Sequence, residues 1–166
     1  SDVFVRVGGP VRTRTSARTM LRVSAAHVVG DNLWLWRADH YVGGEIYGGA
    51  ESINPCDTAL RVARGASDVT MYGLFAEHTL RDVVVWDGER GATYFLQMEL
   101  PYDVTRAYGR ENRTGYRVGA HVKEHDAVGV GVYHYFRDHA VTVDAGIVAP
   151  EALVSRFVSP LAIFLT

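Results

Sequence analysis

The stretches YGLFAEH (72–78) and YFLQMEL (94–100) give the strongest indication of the fold, because they superpose as two copies of one strand. At a spacing of 22 residues their aromatic, leucine and acidic positions coincide: Tyr72 with Tyr94, Leu74 with Leu96, and Glu77 with Glu99. A repeat of roughly 20–25 residues that contains short strands is typical of coils stacked on one another. The repeat therefore predicts an all-β fold, a right-handed parallel β-helix of the pectate-lyase-like kind.

Two further segments extend the repeat along the chain. LWLWRADH (33–40) superposes as an earlier copy, with Asp39 equivalent to Glu77, if an excursion over residues 40–60 interrupts the period. HYFRDH (134–139) is a candidate fourth copy with Asp138 as its acid, and a second excursion covers residues 103–115. The spacing of the turns also permits an antiparallel sandwich or barrel, which stays open at this point.

Strict alternation along YFLQMELPYD (94–103) predicts which residues share a face of the sheet. One face carries Tyr94, Leu96 and Met98, and the other carries Phe95, Gln97 and Glu99. Glu99 therefore shares its face with an aromatic and an amide rather than with a run of solvated charges.

Composition sets limits on the class of protein. The chain of 166 residues is 48% hydrophobic and 22% charged, which fits one globular domain over residues 1–166. The net charge of −2, without a basic cluster, argues against nucleic acid as a partner, and no apolar run is long enough for a membrane span. The single cysteine, Cys56, excludes an internal disulfide and a cysteine-rich zinc site. Both ends of the sequence fall in strand-like runs, so we expect a segment of a longer chain.

Three acids carry the chemical interest: Asp39, Glu77 and Glu99. Like charges stacked on one side of a solenoid repel each other unless a ligand, a metal or a shared proton compensates. Carboxyl groups with different environments are how glycosidases divide the roles of acid and base. In the simpler alternative each acid ends a strand and faces solvent. Trp34 and Trp36 suit a sugar site, although a tryptophan in a β protein is more often part of the core.

The sequence predicts neither a metal site nor a cofactor. Among the seven histidines, His121 and His125 lie four residues apart in a segment predicted as strand and loop, where their side chains need not converge. The HVKEH segment also lacks the zincin pattern, and no nucleophile elbow or phosphate-binding loop is present.

Four segments together resemble a known family: DNLWLWRADH, VTMYGLFAEH, VVVWDGERGATYFLQMELPYD and GVGVYHYF. From about residue 17 to its end, the chain resembles the C-terminal half of family 55 glycoside hydrolases. These are exo-β-1,3-glucanases, or laminarinases, built from two tandem right-handed β-helices. The resemblance implies that Glu99 protonates the departing glycosidic oxygen and that Glu77 helps to hold the attacking water. It also implies that Trp36, Asp39 and Tyr102 line the pocket for the terminal glucose, and that the reaction inverts the anomeric centre.

The resemblance has consequences for the whole product. It implies a secreted protein, a polysaccharide or oligosaccharide substrate, and a preceding N-terminal β-helix that supplies groups for the attacking water. The segment alone is therefore expected to be inactive or very weak, and its coil ends favour self-association. Met98 departs from the family's usual small or polar residue beside the acid, which suggests an altered pocket wall.

Two alternatives belong to other functional classes. One is a non-catalytic β-helix that binds glycan or builds a surface assembly. A relative that acts on a different polysaccharide is a variant of the leading hypothesis and not a separate class. The other is a polysaccharide lyase, which needs a base and a cation to neutralise a uronate. The sequence suggests no basic residue on the ladder of Asp39, Glu77 and Glu99.

Overall fold

A computed structural model describes residues 2–8, 15–39, 54–137 and 139–165. In this part of the chain the strands form two parallel sheets around one apolar core. The first sheet contains β1 (Val3–Val7), β3 (Val29–Arg37), β5 (Thr70–Glu77), β7 (Gly91–Glu99), β9 (His125–His134), β11 (Phe157–Val158) and β12 (Leu161–Phe164). The second contains β2 (Ala17–Val23), β4 (Cys56–Val62), β6 (Val84–Trp86), β8 (Tyr116–Val118) and β10 (Ile147–Val148). A short helix α1 (Arg106–Arg110) and a 3₁₀ helix (Glu151–Arg156) complete the elements.

From β1 to β11 the strands alternate between the two sheets, and each pairs in parallel with its counterpart in the next coil, whereas β11 and β12 both pair with β9. This connectivity is a parallel β-helix, and it excludes the antiparallel sandwich or barrel. The 22-residue repeat is confirmed, since the register pairs Tyr72 with Tyr94, Leu74 with Leu96 and Glu77 with Glu99. Inward-facing aliphatic side chains from both sheets form the core, so stacking of coils buries what one coil leaves exposed.

A column of left-handed residues bends the first sheet at the same place in successive coils. It consists of Asn32, Gly73, Phe95, Gly129 and Ser159, with φ between 52° and 64°. Because each of these residues is skipped in the pairing, the alternation of faces restarts after it. The predicted common face of Tyr94 and Leu96 is therefore wrong. Tyr94 is exposed, whereas Leu96 and Met98 are buried, and Gln97 and Glu99 face outward.

The register of the preceding coil also differs from the prediction. The structure pairs Leu33 with Leu74 and Trp36 with Glu77, so Trp36, rather than Asp39, is the register partner of Glu77. The predicted alignment is displaced from this register by three residues. Because successive residues of a strand face opposite sides of the sheet, a displacement by an odd number of residues would exchange the inner and outer faces and bury Trp36. The two inward leucines therefore fix the register, and Asp39 lies two residues beyond the end of β3.

Two smaller expectations are corrected at the excursions. In the next coil Glu99 pairs with Tyr133, so HYFRDH does not add an acid to the column, and Asp138 itself lies outside the described residues. The first excursion ends before Cys56, where β4 begins, because the small and aliphatic residues of CDTALRV pack into the core. Residues 40–53 lie outside the described part of the chain.

Three other expectations from the sequence concern Met98, Cys56 and membrane-spanning segments. Met98 is fully buried in the core and does not form a pocket wall. Cys56 is a buried free thiol, and burial raises its pKa to about 11. In the described ranges we find no helix that is both long and apolar enough to cross a membrane.

Candidate active site

The ends of three neighbouring strands of the first sheet bring the candidate acids together. Glu77 and Glu99 are the last residues of β5 and β7 and are register partners on the outer face. Asp39 follows the end of β3, and Tyr102 follows the end of β7 by three residues. Paired strands lie about 4.8 Å apart, so the two glutamates occupy adjacent rungs of one column.

His78, which directly follows Glu77, lies at the centre of the cluster. Its Nε2 is 3.2 Å from Oε2 of Glu99, and its Nδ1 is 3.3 Å from Oδ1 of Asp39. Burial by itself would lower the pKa of His78, but the hydrogen bonds and charges of Asp39 and Glu99 more than offset this and raise the pKa to about 9. The side chain is therefore an imidazolium at neutral pH, and it compensates the stacked carboxylates.

Sequence reasoning missed this cation, since it suggested no basic residue on the ladder. The Nδ1 atom of His78 also lies 3.2 Å from Nε1 of Trp36. A protonated Nδ1 is a donor, as is the indole N–H, so the proton of Nδ1 belongs to Asp39 and the indole contact is not a second hydrogen bond. The aromatic ring of Tyr102 covers the imidazole at a centroid distance of 4.4 Å.

Glu99 is surrounded by hydrogen-bond donors. His78 and the hydroxyl of Tyr102 both contact Oε2, and the amide of Gln97 donates to Oε1 at 3.0 Å. The hydrogen bond from His78 is the main cause of a lowered pKa of Glu99; burial opposes it, and the bond from Tyr102 adds to it. In this site Glu99 is therefore held as a carboxylate. Burial, then its bond to Glu99, raises the pKa of Tyr102, which stays protonated as a donor.

Glu77 has the opposite environment. It is buried, and its Oε2 accepts a hydrogen bond from Nε1 of Trp34 at 3.0 Å. Burial raises the pKa of Glu77, the bond from Trp34 opposes this, and the charge of Glu99 reinforces it. Two neighbouring carboxyl groups thus have pKa values displaced in opposite directions, which is the condition for dividing acid and base roles.

The fully buried ion pair of Arg37 and Asp103 contacts the main chain of the cluster at His78. The guanidinium of Arg37 binds both carboxylate oxygens of Asp103, with Nη1 to Oδ2 at 3.0 Å, and its Nε donates to the backbone carbonyl of His78. Neither side chain is exposed. Arg37 belongs to the WRAD segment and Asp103 to ELPYD, so these segments meet through residues that no site prediction included.

The predicted site residues all lie in one region. Asp39, Tyr102 and Glu99 contact His78 or each other, and Trp36 adjoins His78. Trp36 is half-buried, stacks against Trp34 at 6.1 Å, and lies under the guanidinium of Arg6 at 4.6 Å. Within the described ranges no group of three or more His, Cys, Asp or Glu side chains is arranged to hold a metal ion.

Aromatic side chains cover the outer face beside the acids. Trp34 is 44% exposed, and Tyr72 and Tyr94 stack on each other with ring centres 5.2 Å apart. Phe4, Trp34 and Phe75 contribute to a shallow pocket of about 290 Å³ at the first described coils. Trp86, in contrast, is a core residue with no exposed surface. The outer face therefore offers flat apolar rings next to carboxyl groups.

Comparison with known proteins places this arrangement in a family. The family model of the LAM55 pectate lyase-like domain matches residues 1–99. An exo-beta-1,3-glucanase from Streptomyces sp. (strain SirexAA-E / ActE) is 36% identical over 140 residues, which are 81% of this chain and 22% of that protein. This chain thus spans about a fifth of the length of the curated relative.

Two solved structures have the same fold. Both are of sacteLam55A from Streptomyces sp. SirexAA-E, one of them a glutamate-to-alanine variant in complex with glucose. The variant matches 89% of this chain and 26% of its own, with a TM-score of 0.78 and 32% identity. The other matches 87% of this chain and 27% of its own, with a TM-score of 0.69 and 32% identity.

Proposed function

The chain belongs to the LAM55 pectate lyase-like domain family, and on this basis we propose that it forms the acid-bearing part of a glycoside hydrolase that cleaves β-1,3-glucan from the chain end. The observation that carries the proposal is the pair of register partners Glu77 and Glu99, whose environments displace their pKa values in opposite directions. Hydrolysis of a glycosidic bond requires such a pair, one group to protonate the leaving oxygen and one to activate water.

In the proposed mechanism Glu99 is the general acid and Glu77 helps to hold the attacking water, with inversion at the anomeric carbon. Glu99 is the more accessible of the two, with 22% of its side chain exposed, and Glu77 is buried. The environments alone favour the reverse assignment, because Glu77 has the raised pKa and Glu99 the lowered one. Glu99 therefore needs a source for the proton that it donates.

Substrates with different leaving groups distinguish the two assignments. Replacement of a general acid costs about 10²- to 10⁴-fold in rate, and the loss disappears when the leaving group departs without a proton. We expect Glu99→Gln to lose that much activity on β-1,3-glucan and to keep most of it on a dinitrophenyl β-glucoside. Glu77→Gln should lose activity on both substrates. If Glu77→Gln rather than Glu99→Gln is rescued by the activated substrate, the roles are reversed.

We also propose that Trp36, Asp39 and Tyr102 form the pocket for the terminal glucose. Trp36 presents a half-buried ring, on which the apolar face of a pyranose can stack. Asp39 and Tyr102 supply an acceptor and a hydroxyl beside the acids. Substitution of Trp36 by alanine should raise KM on laminarin-type oligosaccharides more than it lowers kcat, because stacking acts in the ground state as well.

The partner of this segment is proposed to be a preceding β-helix of the same product, and the segment is proposed to be part of a C-terminal β-helix. Support comes from its coverage of 22% to 27% of the relatives that it matches. We expect the 166 residues alone to hydrolyse laminarin weakly or not at all, and to self-associate through open coil ends. Robust hydrolysis by the isolated segment would contradict this expectation.

The substrate also suggests where the product acts. A polymeric glucan is too large to enter a cell, so we propose that the full product is secreted. Recovery of the protein from culture supernatant, and not from washed cells, is the expected result.

The second candidate is a non-catalytic glycan-binding module, which the exposed Tyr72–Tyr94 stack favours. If the full product hydrolyses no glucan, yet binds laminarin in a way that Tyr94→Ala abolishes, this alternative replaces the hydrolase.

A further inference from the structure

Among the described residues of the cluster, His78 links the two carboxylates of Asp39 and Glu99. Asp39, Glu77 and Glu99 contribute three carboxyl groups to the cluster, and His78 contacts those of Asp39 and Glu99. The guanidinium of Arg37 is close by, but the carboxylate of Asp103 occupies it. Removing the imidazolium charge would therefore weaken the electrostatic balance between the carboxylates of Asp39 and Glu99.

The geometry of His78 is that of an oriented imidazole between two carboxyl groups. Asp39 contacts Nδ1 and Glu99 contacts Nε2, which matches the logic of an orienting acid, a histidine and a reacting group in nucleophilic enzymes. Here the third group is a carboxyl rather than a hydroxyl. Arg37 holds the main chain of His78 by donating to its backbone carbonyl.

We propose that His78 and Glu99 hold one proton in common, which rests on His78 in the free site and reaches the glycosidic oxygen through Glu99. The inference rests on the proposed function, since it supplies the proton that Glu99 lacks. His78 does not touch substrate, and acts as a positioning residue through Glu99.

The proton is accounted for at each step. The N–H bond at Nε2 of His78 breaks as an O–H bond forms at Oε2 of Glu99. Glu99 then gives its proton to the glycosidic oxygen as the bond from that oxygen to the anomeric carbon breaks, and the electron pair stays on the oxygen. His78 ends neutral and Glu99 ends ionised, and the proton that the attacking water releases restores the imidazolium.

The groups around His78 fit a shared proton. Those that face it from the adjoining strands are Trp36, Arg37 and Asp39 after or within β3, Glu77 in β5, and Glu99 and Tyr102 in or after β7. Their carboxylates keep the pKa of His78 near 9 and thereby keep the pair singly protonated across neutral pH. Two groups coupled this strongly titrate as a pair, with values that belong to neither residue alone.

The first test is a titration of the histidine ring protons by NMR, which needs no activity. In Glu99→Gln the pKa of His78 should fall by about one to three units, because an opposing charge and a hydrogen bond are lost. Asp39→Asn should lower it as well. The matched control is Glu89→Gln, which removes an acid at the opposite end of β7 and should leave the pKa of His78 unchanged. An unchanged pKa of His78 in Glu99→Gln overturns the proposal.

The second test is the pH dependence of kcat/KM on β-1,3-glucan, measured with the full product. The wild type should keep its activity until the pair loses its proton near pH 9. His78→Gln keeps a hydrogen-bond donor near the position of Nε2. In this variant activity should begin to decline near the ordinary pKa of a glutamic acid, so the alkaline limb of the pH profile moves to lower pH. His121→Gln, whose histidine binds a backbone carbonyl elsewhere, should retain the wild-type profile. A wild-type profile in His78→Gln overturns the shared proton.

The two tests separate this inference from the proposed function. If the wild type hydrolyses no glucan, the proposed function fails, and the NMR titration still decides whether His78 and Glu99 share a proton. If His78→Gln does not fold, as thermal unfolding would reveal, the Glu99→Gln and Asp39→Asn titrations decide the matter.

Discussion

Two buried histidines, His78 on the outer face and His125 inside the coil stack, have opposite charge states. Both lie beside a tyrosine and a tryptophan, and both have little or no exposed surface. His78 contacts two carboxylates, and its pKa is raised to about 9, whereas burial lowers the pKa of His125 to about 4. Because both histidines are buried, the carboxylates that neighbouring coils supply decide which of the two is a cation.

The imidazole of His125 is surrounded mainly by aromatic rings. His125 packs between the rings of Trp86, at 4.7 Å, and Tyr116, at 5.7 Å, and its Nε2 meets the hydroxyl of Tyr116. The Nδ1 of His125 and the Nε1 of Trp86 have no hydrogen-bond partner among the described residues. Among the described residues no carboxylate contacts this imidazole, so burial outweighs the charge of Asp126 and His125 stays neutral.

The largest effect is expected at the ion pair that supports His78. Arg37→Met leaves the carboxylate of Asp103 buried without its partner, which costs about 3–5 kcal/mol of the free energy of unfolding. Urea denaturation of the wild type and the variant measures this difference. The double variant Arg37→Met/Asp103→Leu, which removes both charges, should recover much of the loss. If Arg37→Met lowers the free energy of unfolding by less than about 1 kcal/mol, the outer cluster does not depend on the ion pair of Arg37 and Asp103.

The fold could be predicted from the sequence because two successive coils, at β5 and β7, follow each other without a long insertion, so their repeat is visible. Between β5 and β7 the spacing of 22 residues equals the true register, and Leu74 stacks on Leu96 as expected. Across residues 40–53 the length of the excursion hides the period, so Asp39 was aligned with Glu77 in place of Trp36. The left-handed column was not predictable by alternation, because Phe95 adopts a φ that bulky residues rarely take.

The sequence predicted acids that the structure brings together, but it did not predict the cation that lies between two of them. A carboxylate at the end of a strand is visible in the repeat, and the five predicted residues do lie together. The sequence does not reveal the charge of His78, because that charge depends on Asp39 in one coil and Glu99 in another. Arg37 and Asp103 are 66 residues apart, and their pairing follows from the stacking of coils rather than from any local pattern.

His125 should destabilise the protein as the pH falls. Its pKa is about 4 in the folded state and about 6.5 when unfolded, so the unfolded state binds more protons between these values and stability rises with pH. About 3 kcal/mol should be lost between pH 6.5 and pH 4. His125→Phe should remove this part of the slope, and Tyr116→Phe, which keeps the imidazole buried, should retain it. An equal slope in His125→Phe and the wild type would mean that His125 is not buried as a neutral ring.

His78 should act on the alkaline side, with the opposite sign. Its pKa is raised above the unfolded value, so its contribution is fully present below about pH 6.5 and is lost as the pH rises through 9. The loss is at most about 3 kcal/mol, because solvent reaches the neighbouring Glu99 and screens the pair. The free energy of unfolding from pH 6 to 10 measures it, and His78→Gln should flatten that limb. If the free energy of unfolding of the wild type does not change between pH 6 and 10, His78 is not the cation of the cluster.

The smallest effect is expected inside, at Thr93. Its hydroxyl lies 3.5 Å from that of Tyr116, at the limit of a hydrogen bond, and Thr93 is fully buried. Because so long a contact contributes little, Thr93→Val should change the free energy of unfolding by less than about 1 kcal/mol. A loss above about 2 kcal/mol would mean that Thr93, Tyr116 and His125 form a polar network whose members depend on one another. The interior would then resemble the outer cluster in being held by hydrogen bonds, and the contrast between the two histidines would reduce to charge alone.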